Sequence, residues 1–124
     1  MDKRPLILVV EDDQELLAML GRILSELADV ELARDGVEAV DKLRQGVNPD
    51  LVITDLMMPR MDGLTLAKQL KTEAQTKRTP VIMLTAKTGP RNVVTGINRG
   101  ARAYMTKPFE QSELIDKVRG VLNL

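Results

Sequence analysis

Leu6-Ile7-Leu8-Val9-Val10 runs directly into Glu11-Asp12-Asp13, and forty residues on Leu51-Val52-Ile53-Thr54 runs into Asp55. An unbroken apolar run of this length suits a strand covered on both faces, the pattern of a parallel sheet with helices on either side. Carboxylates at the mouth of such a strand repel one another when a second acidic strand end lies alongside. A divalent cation or a proton relieves that repulsion. The two stretches together therefore predict both a sheet and an oxygen-lined metal site at its edge.

Working outward, strand-length apolar runs recur at Leu6–Val10, Val30–Ala33, Leu51–Thr54, Val81–Leu84 and Ala103–Thr106. Segments with helical spacing lie between them. Leu16, Leu17, Leu20, Ile23, Leu24 and Leu27 make one apolar face, and Leu114, Ile115, Val118, Val121 and Leu122 make another. Weaker helices fit around Ala39, Val40 and Leu43, around Leu64, Ala67 and Leu70, and around Val93, Val94 and Ile97. Five βα units with right-handed crossovers predict an α/β, flavodoxin-like, doubly wound (βα)5 fold with a five-stranded parallel sheet in the order 2-1-3-4-5. That order makes the first and third strands neighbours, so Glu11, Asp12 and Asp55 meet at the switch point where such sheets bind ligands. The fourth helix, opened by Gly89-Pro90 and interrupted by Gly96 and Asn98, has the weakest propensity. It is the element expected to move, although a glycine admitting close packing accounts for Gly96 as well.

Composition narrows the chemistry. A length of 124 residues, 44% of them hydrophobic, fits one domain over residues 1–124. Neither cysteine nor histidine occurs, which excludes disulfides, thiolate or imidazole ligands and a histidine base. A metal here must be a hard one, and Mg2+ is the first candidate. No run approaches a membrane span and no signal pattern precedes the first strand, so a cytoplasmic protein without membrane or direct nucleic-acid contact is expected. The net charge of zero agrees, but residues 1–62 hold 7 basic and 14 acidic side chains and residues 63–124 hold 11 and 4. This split is either ordinary surface charge interleaved by folding, or an acidic pocket from the first half and a basic partner face from the second.

Beside the acids, the fourth strand ends in Leu84-Thr85-Ala86 and the fifth in Thr106-Lys107-Pro108-Phe109. A carboxylate cluster, a hydroxyl and an ammonium thus converge on one edge. Phosphoryl transfer uses such a set: an in-line acceptor, a cation, and donors for the phosphoryl oxygens. A carboxylate such as Asp55 can itself be the nucleophile. Each residue also has a plainer reading: Asp55 as a loop acid, Asp12 with Glu15 as a capping box, Asp13 as a first-turn acid, Thr85 as a turn cap, Lys107 as a surface lysine.

With Val9-Val10-Glu11-Asp12-Asp13, Ile53-Thr54-Asp55, Met58-Pro59, Asp62-Gly63, Leu84-Thr85-Ala86, Tyr104 and Lys107-Pro108-Phe109 in place, the chain resembles the response-regulator receiver domains of the CheY-like two-component family from about Leu6 to Leu122. The resemblance implies a phosphoprotein of signal transduction, a two-component system or phosphorelay, in which Asp55 accepts a phosphoryl group from the phosphohistidine of a histidine kinase or histidine phosphotransfer protein. Asp12 and Asp55 would bind Mg2+ directly, Glu11 through water, and the backbone carbonyl of Met57 would supply another oxygen. Thr85 and Lys107 would hold the phosphoryl oxygens, with a cis peptide between Lys107 and Pro108 aiming the lysine. Thr85 and Tyr104 would form the switch by which the aspartyl phosphate remodels the face made by the fourth helix, fifth strand and fifth helix.

On this reading the domain catalyses its own phosphorylation and dephosphorylation and is not an enzyme acting on external substrates. Its downstream target is an effector protein or a fused output domain. Two departures from the family pattern carry expectations. Met57 and Lys87 cannot orient attacking water, which predicts slow self-dephosphorylation, and Arg102-Ala103 stands where dimerising receivers commonly carry two acids, which disfavours that dimer. The alternatives are a magnesium-dependent phosphohydrolase that passes through an aspartyl phosphate, and a scaffold receiver that is never phosphorylated.

Overall fold

The computed structural model describes residues 4–86 and 101–124. Five strands, β1 (Leu6–Val10), β2 (Asp29–Ala33), β3 (Leu51–Asp55), β4 (Val81–Ala86) and β5 (Ala103–Lys107), form one parallel sheet in the order β2-β1-β3-β4-β5. The helices are α1 (Gln14–Leu24), α2 (Gly36–Arg44), α3 (Gly63–Thr72) and α4 (Gln111–Leu122). The fold is flavodoxin-like, with the strand order expected from the sequence. The helix anticipated around Val93, Val94 and Ile97, and Lys87 with it, lies outside the described residues; α4 is the helix anticipated as the fifth.

Because successive strand residues point to opposite faces, each apolar run feeds two cores. Ile7, Val9, Leu51, Ile53, Ile82 and Leu84 pack with Leu17, Leu20 and Leu24 of α1 and Leu114 and Val118 of α4. Leu8, Val10, Val52, Val81 and Met83 pack on the other side with Ala39 and Val40 of α2 and Leu66, Ala67 and Leu70 of α3. Every residue of β3 is buried, Asp55 included. Completely burying one such aliphatic side chain contributes roughly 1.5–3 kcal/mol. These two layers hold the strand ends rigidly enough to aim polar side chains.

Several boundaries differ from expectation, and each difference bears on the site. Asp55 and Lys107 are the last residues of β3 and β5 rather than the first beyond them, because both remain in register with a neighbour, Asp55 with Leu84 and Lys107 with Ala86. The cap of α1 is Asp13, not Asp12: its carboxylate accepts from the backbone N–H groups of Glu15 and Leu16. Asp12 is thereby spared for other chemistry. Among the described residues no helix is long and apolar enough to cross a membrane.

Candidate functional site

Parallel register delivers four strand ends to one edge. Val10 pairs with Thr54, Asp55 with Leu84, Thr85 with Thr106 and Ala86 with Lys107, so Glu11, Asp55, Thr85 and Lys107 lie along a single line across β1, β3, β4 and β5. Glu11 stays beside the sheet because its N–H donates to the Ala33 carbonyl at 3.0 Å. Leu56 N–H donates to the Leu84 carbonyl at 2.7 Å, which continues the β3–β4 ladder one residue past Asp55.

The carboxylates of Glu11, Asp12 and Asp55 each place an oxygen within 4.8 Å of the others. Glu11 is fully buried and Asp55 nearly so, while Asp12 faces solvent. Lys107 bridges the two buried acids, its Nζ lying 2.8 Å from Glu11 Oε1 and 3.1 Å from Asp55 Oδ1. The second oxygen of Glu11, Oε2, accepts from Asp13 N–H at 3.0 Å. A bridge to Glu11 is something the sequence alone does not reveal, since 96 residues separate the partners.

Charge balance at the site is unfavourable as it stands. Burial pushes the Glu11 carboxyl up to about 7, against the hydrogen bonds from Lys107 and Asp13 N–H, and the Asp55 charge adds to the rise. Burial also raises Asp55, with Lys107 opposing it. For Lys107, burial works against the charged form, but the bonds to Glu11 and Asp55 outweigh it and lift the ammonium above its ordinary value. Among the described residues, one ammonium, that of Lys107, bonds two of the three clustered carboxylates. An all-oxygen donor set with surplus negative charge, in a chain devoid of histidine and cysteine, fits a hard divalent cation.

Around this centre, Thr85 is buried at the end of β4. Tyr104 stands in register with Met83 and packs partly against the core, its Oη buried with no hydrogen-bond partner among the described residues. The Lys107–Pro108 peptide is cis. Met57 exposes 72% of its surface, so nothing described covers the position two residues beyond Asp55.

Asp62-Gly63 stands out in the sequence as a motif, but not as the scaffold of the loop between β3 and α3. Gly63 N–H donates to the Leu56 carbonyl at 2.9 Å, and a Cβ on Gly63 would meet the Asp55 carbonyl oxygen at 2.2 Å, so only glycine lets α3 start so close to Asp55. Arg60 holds a left-handed φ of 67° and Met61 presses against Gly36. Asp35 caps the helix that begins at Gly36, and the contact of that helix start with this loop has no signature in the sequence.

Residues 7–119 match the family model described as response regulator receiver domain. Response regulator MprA of Mycobacterium sp. (strain KMS) is 42% identical over 117 residues, 94% of this chain and 50% of the relative. Hybrid signal transduction histidine kinase D of Dictyostelium discoideum is 36% identical over 121 residues, 98% of this chain and 8% of the relative. The chain thus spans half or less of the length of these curated relatives. Among solved structures, the receiver domain of sensor histidine kinase PA1611 from Pseudomonas aeruginosa PAO1, described with a magnesium ion coordinated in its active-site cleft, superposes with a TM-score of 0.86 at 26% identity. That match covers 97% of this chain and 98% of the other. With the strand order, the acidic cluster and these matches together, the chain belongs to the response regulator receiver domains of two-component signalling.

Proposed function

We propose that this domain is a phosphoacceptor in which Asp55 takes a phosphoryl group from the phosphohistidine of a histidine kinase or histidine phosphotransfer protein. The observation that carries the reading is the contact of Asp55 Oδ1 with Lys107 Nζ at 3.1 Å inside a three-carboxylate cluster. A carboxylate oxygen of Asp55 attacks phosphorus, the new O–P bond forms as the N–P bond breaks, and the imidazole leaves with the electron pair of that bond. Lys107 favours the ionised form of Asp55 against the effect of burial and offers its ammonium to a phosphoryl oxygen. Thr85, one residue past the strand partner of Asp55, offers its hydroxyl to another. Asp12, Asp55 and the Met57 carbonyl would hold Mg2+ directly and Glu11 through water, Mg2+ being the metal named for the Pseudomonas relative. When bound, that ion supplies the positive charge that transferring phosphoryl oxygens require.

The switch follows from packing and charge. A phosphoryl group on Asp55 draws the Thr85 hydroxyl toward it, and Tyr104, whose Oη has a buried position but no described partner, turns into the space released. β5 and α4 lie beside this change and form part of the surface on which an effector or fused output domain would read it. Residues 1–124 are read as one domain, since the described strands share a single sheet and two continuous cores.

Incubation with Mg2+ and a small acyl-phosphate donor, followed by intact-mass measurement, tests the reading. A gain of one phosphoryl group that disappears in Asp55→Asn supports it. Continuous release of phosphate instead identifies a phosphohydrolase, and an unchanged mass identifies a scaffold receiver.

A further inference from the structure

The loop from Leu56 to Gly63 is closed at its base by the Gly63 N–H to Leu56 carbonyl bond. Its tip, residues 59–61, is held elsewhere. Arg60 Nη2 lies 2.7 Å and Nε 3.0 Å from Asp35 Oδ2. Met61 fills the space at Gly36 so completely that a Cβ there would come within 2.8 Å of the Met61 Cβ and Cγ. Within the tip, Met61 N–H donates to the Pro59 carbonyl at 2.7 Å. Between the fixed base and this anchored tip Met58 packs partly against the second core, while the Met57 side chain is exposed.

Asp35 is well placed to be an anchor. It caps α2 by accepting from Glu38 N–H at 2.9 Å, and its side chain is only 14% exposed. Burial opposes its ionisation, yet the Glu38 N–H and the Arg60 guanidinium outweigh this and hold the carboxyl below its ordinary range. Two residues earlier, the Ala33 carbonyl receives the N–H of Glu11. One short segment, 33–36, thus touches both an acid of the cluster and the tip of the loop that follows the acceptor. Arg60 keeps a left-handed backbone that side chains disfavour, although glycine would adopt it freely.

We propose that Asp35 and Arg60 are positioning residues for the cation site: their ion pair, with the Met61–Gly36 contact, clamps the β3–α3 loop so that the Met57 carbonyl faces the carboxylates. This rests on the phosphoacceptor reading, in which that carbonyl is a metal ligand. Neither residue touches the ion or the phosphoryl group. Their effect is on the cost of ordering the loop when Mg2+ binds.

The test uses the 124-residue chain with Arg60→Gly, which relaxes the backbone and removes the guanidinium, Asp35→Asn, which retains a good helix cap, the double variant, and Arg60→Lys. Mg2+ affinity is measured by calorimetry at pH 8, alongside melting temperature and the rate of phosphoryl uptake at low and saturating Mg2+. Each single variant is expected to bind Mg2+ roughly tenfold more weakly. The double variant should lose no more than the weaker single, because both act on one pair. Arg60→Lys should recover part of the loss, and uptake at saturating Mg2+ should stay within twofold, roughly, of wild type. Unchanged affinity in Arg60→Gly and Asp35→Asn overturns the clamp, as do fully additive losses or a lower melting temperature with wild-type affinity. If Arg60→Gly fails to fold, Asp35→Asn and Arg60→Lys still decide it. Wild-type chain that binds no Mg2+ and gains no phosphoryl mass overturns the phosphoacceptor reading itself.

Discussion

Replacing Glu11 with glutamine should make the metal-free protein more stable at pH 8 and leave its stability nearly unchanged at pH 4. Glu11 is fully buried, and its carboxyl titrates near 7 in the fold against 4.5 as the ordinary value. Between those values the folded chain keeps a proton that the unfolded chain has lost. Wild-type stability therefore falls as pH rises through this window and is level above it. The difference between 4.5 and about 7 corresponds to about 3 kcal/mol. Glutamine keeps the shape of the protonated acid and one acceptor oxygen for Lys107, but never ionises. Expressed as melting temperature, the gain at pH 8 is roughly 10 °C for a domain of this size. Circular dichroism melts in a chelator, at pH 4 and pH 8, measure it. Adding Mg2+ at a hundredfold its dissociation constant should return about 2.7 kcal/mol to the wild type, with a smaller gain in the variant. A variant less stable than wild type at pH 8, or a difference that is the same at both pH values, would refute the claim that Glu11 is a strained buried charge awaiting a cation.

The same titration predicts that apparent Mg2+ affinity rises about tenfold from pH 6 to pH 8, with a proton released on binding; calorimetry in buffers of different ionisation enthalpy reads both, and a pH-independent affinity contradicts it. Gly63→Ala, which drives a Cβ into the Asp55 carbonyl, should cost about 2 kcal/mol or more in urea denaturation and slow phosphoryl uptake as well. Asp13→Ala removes the acceptor for two N–H groups of α1 and should cost about 1 kcal/mol. Its Mg2+ affinity should remain within about twofold of wild type, since the Asp13 carboxylate caps α1 and lies outside the cluster of Glu11, Asp12 and Asp55. A large loss of affinity in that variant would return Asp13 to the cation site.

Much of this was legible in the chain because the signals are local. Apolar runs of five residues define strands on both of whose faces something must pack, and their alternation with helical spacing leaves few topologies. Once β1 and β3 are neighbours, the acids that follow Val10 and end β3 must meet, so the cluster of Glu11, Asp12 and Asp55 could be anticipated. Helix caps were less secure: Asp12 and Asp13 are adjacent and chemically alike, and only the backbone direction at the start of α1 tells which of them faces the free N–H groups.

Tertiary structure alone decided how the charges are shared and what holds them. Lys107 reaches Glu11 as well as Asp55 because β5 ends level with β4, a consequence of register, and the burial that lifts Glu11 to about 7 depends on both cores closing over the strand end. The Asp35–Arg60 pair joins two loops 25 residues apart, and Gly63 is required only because α3 begins against the Asp55 carbonyl. Periodicity and residue type act through nearest neighbours along the chain, and so they determined the elements, their order and the acids at their ends. Desolvation and long-range contacts arise only when distant segments pack together, and so the ionisation of those acids and the anchoring of the loop beside them belong to the fold.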